Sequence, residues 1–250
     1  AIVDDDENVA QAAAHSMAEL KDPDSADPLL PIVGHANAFV RAAALRALRE
    51  LRRPDTLKAA LDALNDSDAK VRTEAVGVIG FMKLEEAIPA LKAATTDEDG
   101  NVRRAAVSAL AFSQLKTAVD TIIRAMRDPD WMVREIAAET IGKGEGSKEA
   151  SEALMAAMAD EYWQVRLKAT RGLGRLKIAE AIELIGPGLA EDQAPNLRKE
   201  TAAALGEIAS PAGRGSLEPY NDDSDPDVRK NVRWALNRIS ASGAGVSGAS

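Results

Sequence analysis

A short phrase, Val-Arg followed by a small residue and then an Ala-Leu pair, recurs eight times in this chain of 250 residues. We call its first residue the anchor. Successive anchors lie 31 or 32 residues apart. A fixed period in this range predicts stacked supersecondary units, none of which can bury its apolar face alone. The eight anchors are Val9, Val40, Val71, Val102, Val133, Val165, Leu197 and Val228; the phrase is weakened at Val9, which is followed by Ala, and begins with Leu at 197.

Each unit has the pattern of two helices. Apolar residues stand at the anchor and four, seven, eight and eleven places after it, which is one stripe at the helical period of 3.6. The clearest case is the run Val71, Ala75, Val78, Ile79 and Met82. A shorter helix is expected before each anchor helix, and proline or glycine separates the units. The clearest shorter helices are predicted at residues 56–64, 86–94, 118–126, 149–158 and 179–189.

An acidic turn precedes most anchors. Asp and Asn favour the first turn of a helix because their side chains accept its free amides, so we predict N-caps three places before the anchor. Tyr162 and Ala194 break this rule. The arginine after each anchor is expected to pair with such aspartates of neighbouring repeats, forming a ladder. Calcium loops at 97–100 and 222–225 are the disfavoured alternative, because neither has the EF-hand spacing. The predicted caps are Asp6, Asn37, Asp68, Asp99, Asp130 and Asp225.

Composition restricts the class of protein. Aromatic residues make up 3% of the chain, and there is no cysteine, so disulfides and thiolate chemistry are excluded. The net charge of −9 argues against a nucleic-acid binder, which usually carries a basic surface. No apolar run approaches the roughly 18 residues that span a bilayer, and no signal peptide is visible. These features favour a cytoplasmic protein without a membrane span.

The repeated phrase, an acidic turn, Val-Arg, two variable residues, Ala and then Ala-Leu-Gly, resembles the HEAT repeat in the short variety of phycobilisome lyase subunits. The resemblance covers residues 4–239. It implies an all-α fold, a right-handed α-solenoid of about eight helix pairs whose anchor helices line the concave side. We therefore expect one solenoid domain at 1–239 and a flexible Ser/Gly/Ala-rich tail at 240–250. The first repeat lacks a full first helix, so either another protein covers that side or the natural chain extends upstream.

Helical geometry places six positions of each anchor helix away from the buried stripe. They lie two and one before the anchor and two, three, six and ten after it, and we call them the arc. The resemblance assigns the arc to the concave face. Every Phe and Trp occupies an arc position, which favours a binding surface over rings buried as packing. The predicted partner-binding residues are Phe39, Phe81, Phe112, Trp131, Met132, Ile136, Trp163, Leu167, Lys168, Arg171, Arg175 and Trp234.

Charges on the arc are balanced although the whole chain is acidic: nine residues are acidic and ten are basic. Lys168, Arg171 and Arg175 share one helix face, with Lys143 on the next helix. They are candidates for holding the carboxylates of a partner segment or of an acidic ligand. The alternative, a solvated face neutralised by Glu135 and Glu139, has equal weight.

Catalytic patterns are missing from the sequence. The two histidines, His15 and His35, are not followed by Glu, so the paired His-Glu motifs of HEAT-type deoxyhypusine hydroxylases are absent. No serine lies in a nucleophile-elbow motif. A phosphate-binding loop follows a strand, and no strand is predicted before the glycines of 142–144 or 172–174. HEAT-like DNA glycosylases need a basic channel, and this acidic chain fits that class poorly. We assign no catalytic residue, metal or cofactor.

The preferred function is a non-enzymatic scaffold or accessory subunit that binds a segment of another protein in an aromatic-lined concave groove. The alternative is a bilin lyase-like or chromophore-handling subunit. It would hold a tetrapyrrole against the tryptophans and the propionates on Lys168, Arg171 and Arg175. The acidic net charge argues against nucleic acid as a partner, and a small-molecule ligand is compatible with the sequence.

Overall fold

The computed structural model describes residues 1–113, 116–190 and 193–244. These residues form α-helices and short 3₁₀ turns, and no strand occurs among them. The fifteen α-helices are α1 Glu7–Ala18, α2 Ala26–Leu29, α3 Ala38–Leu51, α4 Thr56–Ala63, α5 Ala69–Met82, α6 Ile88–Ala94, α7 Gly100–Ala109, α8 Lys116–Ala125, α9 Trp131–Ile141, α10 Lys148–Ala157, α11 Trp163–Arg175, α12 Ile182–Ile185, α13 Pro195–Ile208, α14 Arg214–Leu217 and α15 Pro226–Ala244.

The helices form an α-solenoid of stacked pairs, as the repeat period predicts. The chain divides into two compact units, residues 1–121 and 122–250. In the first unit the anchor helices α1, α3, α5 and α7 pack against one another in sequence order. In the second unit α9, α11, α13 and α15 do the same. The odd-numbered helices are thus the anchor helices, and each even-numbered helix precedes one of them.

The predicted apolar stripe forms the core between the two helices of each pair. Val71, Ala75, Val78 and Ile79 are buried in α5, and Met82 at its end is half-buried. The same positions are buried in α9 and α11, up to Leu173 with no exposed surface. The stripe prediction is therefore confirmed, including its use of small alanines where helices meet.

The predicted N-caps are also confirmed. The Asp68 carboxylate accepts the backbone amides of Lys70 and Val71 at 2.8 and 3.3 Å. The side chains of the other five predicted caps each accept an amide two residues ahead. Tyr162 and Ala194 stand at the cap positions of α11 and α13 without a side-chain cap bond.

An arginine–aspartate ladder connects consecutive repeats, but its acceptors differ from those predicted. The arginine after the anchor bonds an aspartate five places before the next anchor, rather than the one three places before it. The N-cap carboxylate is already occupied by helix amides, whereas the earlier one faces the preceding repeat. Each rung is bidentate, with distances of 2.6 to 3.1 Å. The rungs are Arg41–Asp66, Arg72–Asp97, Arg134–Asp160 and Arg198–Asp223.

Each ladder arginine also binds its own turn. Nη1 of Arg72 donates to the carbonyl oxygens of Asp66 and Ser67 at 2.9 and 3.3 Å. One guanidinium thus joins two turns from neighbouring repeats, using donors in the planar arrangement that only arginine offers. Burial alone would raise the pKa of Asp97, but hydrogen bonds from Arg72 and from the Asp99 amide outweigh it and lower that pKa. The carboxylates of the ladder therefore stay charged.

Glycines nine places after the anchor let neighbouring anchor helices approach closely. A Cβ on Gly142, directly after α9, would lie 2.6 Å from the Cα atom of Gly172 in α11. Gly174 lies in the same way against Ala204 of α13, where a Cβ would come within 2.7 Å of a Cα atom. The glycines of the repeated phrase are thus packing residues between repeats.

Replacing Gly142 with alanine is expected to lower the free energy of unfolding by about 1–3 kcal/mol, because backbone must shift to admit the methyl group. Urea unfolding followed by circular dichroism measures this loss. Gly144→Ala is the matched control, since its Cβ would meet only the Ile141 carbonyl oxygen at 3.5 Å. Equal losses in both variants would contradict the close-packing role.

Two segments differ from the expected pattern. The helix predicted at 179–189 is α12 flanked by two 3₁₀ turns, since Pro187 has no amide proton and the adjacent glycines weaken the helix. At the other end, helix α15 continues through residues 240–244, where the sequence predicted a flexible tail. The Ser240 hydroxyl accepts a hydrogen bond from Arg214, and the Ser242 hydroxyl donates to the Ala209 carbonyl, which holds this extension. Residues 245–250 lie outside the described residues.

Candidate partner-binding site

The six Phe and Trp side chains on the arc are all solvent-accessible to some degree. In the first unit, Phe39 at the start of α3 is 41% exposed. Phe81 is half-buried, with the guanidinium carbon of Arg52 4.6 Å from its ring centroid. Phe112 is half-buried in the 3₁₀ turn that follows α7. None of the six is a core residue, which removes the alternative that these rings are fully buried packing.

In the second unit Trp131 forms an aromatic stack. Its ring lies 5.2 Å from that of Tyr162, with 13° between the planes. The Arg134 guanidinium carbon lies 5.7 Å from the Tyr162 centroid. Sequence reasoning did not assign Tyr162 to the site because it occupies a cap position, one place outside the arc. Its aromatic type, at a position that is Asp or Asn in six of the eight repeats, was the available signal.

Trp163 lines an open pocket of ≈ 310 Å³ formed by α9, α11 and α13. Trp163 and Leu167 supply its apolar surface, and charged and amide groups surround them. Every lining residue occupies an arc position, so the pocket is formed by the arc faces of these three helices. The lining residues are Glu135, Trp163, Gln164, Leu167, Lys168, Arg171, Asn196, Lys199 and Glu200.

The remaining predicted residues of the second unit lie outside the pocket lining. Met132 and Ile136 are half-buried on α9, and Arg175 is exposed at the end of α11. Trp234 is 40% exposed on α15, with the Arg238 guanidinium carbon 5.4 Å from its centroid. The structure thus brings together Trp163, Leu167, Lys168 and Arg171 of the predicted set, along with amide residues at two further arc positions. Gln164 and Asn196 also occupy arc positions, but their residue types gave no reason to predict them as partner-binding residues.

Ion pairs neutralise three of the four cations that the sequence offered to an acidic ligand, and Arg175 is exposed at the end of α11. Lys168 and Lys143 both contact Glu139, at 2.7 and 2.6 Å. Arg171 contacts Glu200 of α13 at 2.5 Å. The sequence left two alternatives open, a cationic cluster for an acidic ligand and a face neutralised by acidic residues. The structure contains the neutralised face at Lys143, Lys168 and Arg171. Hydrogen bonds from Lys143 and then Lys168 lower the pKa of Glu139 to about 2.

This pKa gives a pH-dependent stability. The Glu139 carboxyl has an ordinary value of 4.5 and a lowered value in the folded protein, so its contribution is full above about pH 4.5. It is lost as the pH falls from there toward about 2. We expect Glu139→Gln to destabilise the protein at neutral pH and to approach the wild type across that window, as measured by urea midpoints.

The control for this prediction is Glu152→Gln, because the carboxylate of Glu152 is 59% exposed and its Lys148 partner lies 3.7 Å away. Exposed pairs of this kind contribute little. A stability difference between wild type and Glu139→Gln that stays constant over the acidic window would contradict the assigned pair.

In the acidic turns that were considered as calcium loops, arginines of the same chain already bind carboxylates. The carboxylates of Asp97 and Asp223 both receive arginine donors from the preceding repeat. Over the described ranges of the chain, no three His, Asp or Glu side chains are grouped as metal ligands. Within the same ranges, no helix has the length and apolar character needed to cross a bilayer.

Stacked helix pairs with this ladder define an α-solenoid repeat protein, and comparison with known proteins names the family. HEAT repeats match the sequence over residues 1–49, 27–111, 91–165 and 151–237. The chain therefore belongs to the HEAT-repeat family. Among curated proteins, no sequence matches it.

Several solved structures have a similar fold. The Escherichia coli protein YibA is 18% identical, with a TM-score of 0.62 and coverage of 92% of this chain and 96% of YibA. A chain of the Kap95p–RanGDP complex is 16% identical with a TM-score of 0.65, covering 94% of this chain and 38% of that one. The CpcE–CpcF phycocyanin lyase of Nostoc sp. PCC7120 is 19% identical with a TM-score of 0.56, covering 88% and 95%. At these identities the likeness shows the fold alone.

Proposed function

We propose that this chain is a non-enzymatic protein-binding scaffold that holds a segment of a partner protein on the arc of its anchor helices. The pocket beside Trp163 carries this proposal most directly. An alanine- and leucine-based solenoid has little structural need for an indole at its surface, and tryptophan is favoured where interfaces concentrate their binding energy. The Kap95p and CpcE–CpcF structures are both complexes between proteins, which supports a protein partner in general.

The chemistry of the pocket suggests what the partner segment offers. The apolar surface of Trp163 and Leu167 fits one apolar side chain of a helix or extended segment. Around it, Glu135, Lys168 and Glu200 present both signs of charge. Because the cations are already paired, specificity depends on matching both signs rather than on negative charge alone. Side-chain amides on the rim add hydrogen-bonding groups that suit a peptide backbone.

Affinity capture from the source organism tests the proposal. The tagged wild type is compared with the double variant Trp163→Ala, Leu167→Ala, and bound proteins are quantified by mass spectrometry. Removing an interface hot spot typically costs 2 kcal/mol or more, so we expect recovery of the specific partner to fall at least about tenfold.

The matched control is Leu184→Ala with Tyr220→Ala, which removes one leucine and one aromatic ring of the second unit outside the arc. Leu184 is 47% exposed on α12, and Tyr220 is half-buried in the 3₁₀ turn Glu218–Tyr220. The control variant should capture the same partner as the wild type. Equal recovery by the pocket variant and the wild type would contradict the pocket as the binding site.

The bilin-handling alternative is the second candidate, and the fold likeness to the phycocyanin lyase is the observation that keeps it. The ion pairs weigh against it: Lys168 and Arg171 already have carboxylate partners, and Arg175 lies outside the pocket lining. Mixing the protein with a free bilin tests it by absorbance. A shifted bilin band that disappears in Trp163→Ala would support chromophore binding, and an unchanged band would reject it.

A further inference from the structure

Three hydrogen-bonding side chains of the pocket beside Trp163 are left over by the fold. They are the indole N–H of Trp163 itself and the side-chain amides of Gln164 and Asn196. Among the described residues, none of these three groups has a hydrogen-bond partner. Trp163 and Gln164 are half-buried, and Asn196 is exposed. Because an indole N–H can only donate and each amide carries two further donors, the pocket offers hydrogen bonds to a ligand that brings acceptors.

The cations that line the same pocket do not call for an acidic ligand. Lys168 and Arg171 have the carboxylate partners given above, and Nζ of Lys199 lies 3.8 Å from the Asp227 carboxylate. A charged segment in the pocket would compete with these pairs for its counter-ions. An uncharged segment fits the centre of the pocket without disturbing them, and charged residues of the partner then meet the rim on either side.

An aromatic surface continues from the pocket across two repeats. Trp131 and Trp163 both stand two places before an anchor, so they occupy equivalent positions of α9 and α11. Tyr162 connects them, since its ring stacks on Trp131 and it directly precedes Trp163 in the chain. Trp131 also lies one helical turn before Glu135, which lines the pocket, so both are on one face of α9. The exposed rings therefore form a row that crosses the helices.

The spacing of this row limits the conformation of a segment that follows it. The anchor helices α9, α11 and α13 pack against one another in order, and packed helices stand about 8–10 Å apart. One turn of a polyproline II helix takes three residues and about 9 Å, so every third residue meets the equivalent position of the next repeat. A β-strand repeats its side-chain direction about every 7 Å and falls out of step. The spacing therefore favours polyproline II over a strand.

The backbone of a polyproline II segment also matches the unpaired donors. It has no internal hydrogen bonds, so its carbonyl oxygens need donors from outside, whereas an α-helix satisfies all but its last four carbonyls. Proline has no amide hydrogen, so a run of prolines presents acceptors and apolar rings without a donor. Grooves lined by aromatic side chains are the surfaces on which segments of this kind dock.

We propose that the segment held at the pocket beside Trp163 is a proline-rich stretch of another protein in the polyproline II conformation, lying across α9, α11 and α13. Its rings pack on the row of Trp131, Tyr162 and Trp163. The Trp163 indole and the amides of Gln164 and Asn196 donate to its carbonyl oxygens. This assignment rests on the scaffold function proposed above, and it adds the class of segment that the scaffold binds.

Fluorescence anisotropy with a fluorescein-labelled peptide of nine prolines tests the assignment. Such a peptide makes three polyproline II turns, one for each of the three anchor helices. We expect saturable binding to the wild type, weakened at least about tenfold in Trp163→Ala. Tyr220→Ala removes an aromatic ring outside the arc and should bind as the wild type does. A labelled Gly-Ser peptide of the same length should not bind.

A second variant tests the donors separately from the apolar surface. Gln164→Leu combined with Asn196→Leu keeps side chains of similar size and removes both amides. We expect each lost hydrogen bond to weaken binding of the proline peptide by about two- to tenfold. Equal or tighter binding by this double variant would show that the pocket only receives an apolar group, and it would overturn the assignment. Circular dichroism checks that every variant folds, and the leucine variant decides if Trp163→Ala loses helix.

The remaining outcomes separate this assignment from the scaffold function. A wild type without saturable binding of the proline peptide, or binding that Trp163→Ala leaves unchanged, overturns the assignment. Affinity capture with Trp163→Ala, Leu167→Ala then decides the scaffold function independently. If capture depends on the pocket but the captured partner contacts it through a segment without a proline run, the scaffold function stands and the proline-rich class is wrong. If no captured protein depends on the pocket, the scaffold function itself is contradicted.

Discussion

Arg198→Ala is expected to lower the free energy of unfolding by about 3–5 kcal/mol, since it removes one partner of a buried ion pair and leaves the other charge uncompensated. Arg198 and Asp223 are 7% and 1% exposed, which makes this the most buried of the four rungs named above. Urea unfolding measures the loss, and hydrogen exchange of the α13 and α15 amides locates it. Local exchange matters because repeat arrays open in parts.

The pH dependence of this loss provides its own check. Burial works to raise the pKa of Asp223, and hydrogen bonds from Arg198 and from the Asp225 amide reverse that effect and lower it. The contribution of the Asp223 carboxylate to the free energy of unfolding is full above its ordinary pKa. It is lost as the pH falls through the lowered pKa of the folded protein. Without Arg198 the buried charge is relieved by protonation, so the difference from the wild type should shrink toward about pH 4.

Arg166→Ala is the control in the preceding repeat. Its guanidinium donates across the repeats to the neutral side-chain oxygen of Gln193 at 2.9 Å, and no carboxylate of the described residues accepts this donor. Losing a hydrogen bond from a guanidinium to an amide oxygen costs about 1.5–3 kcal/mol, less than leaving a buried carboxylate without its partner. Equal losses for Arg166→Ala and Arg198→Ala would contradict the view that charged rungs carry the ladder.

Leu173→Ala is expected to cost about 2–5 kcal/mol, because it deletes a fully buried side chain of α11 and leaves a cavity between the two helices of a pair. Urea unfolding at neutral pH measures it. Leu184→Ala is the matched control, since Leu184 is 47% exposed on α12 and such surface changes stay within about 0.5 kcal/mol. A loss near zero for Leu173→Ala would contradict the apolar stripe on which the repeat reading depends.

The sequence predicted the solenoid and its core because both follow from local periodicity. The stripe from Val71 to Ile79 and the cap at Asp68 each involve residues within a few places of one another, where helical geometry is fixed. The ladder was predicted with the wrong aspartates, because choosing between Asp66 and Asp68 requires knowing which carboxylate faces the preceding repeat. That choice depends on packing between repeats rather than on spacing.

The site was less predictable for the same reason. The arc rule selects the helical face that lines the pocket, since helix geometry alone determines that face. The rule does not predict which charged side chains form ion pairs between neighbouring helices. The pairs Lys168–Glu139 and Arg171–Glu200 are contacts of this kind. The stacking of Trp131 on Tyr162 likewise joins two repeats. Contacts between repeats pair Lys168 and Arg171 of the predicted cationic cluster with carboxylates, which gives a mixed-charge surface.

Site-specific photocrosslinking most directly tests the claim that partners dock on the arc. A photoreactive amino acid replaces Gln164 in the pocket lining, or Glu152 on the exposed side of α10 as the control. On irradiation with the captured partner, the account predicts a covalent adduct from position 164 and little from position 152. Adducts from position 152 with none from position 164 would place the partner on the opposite layer of helices and contradict the account.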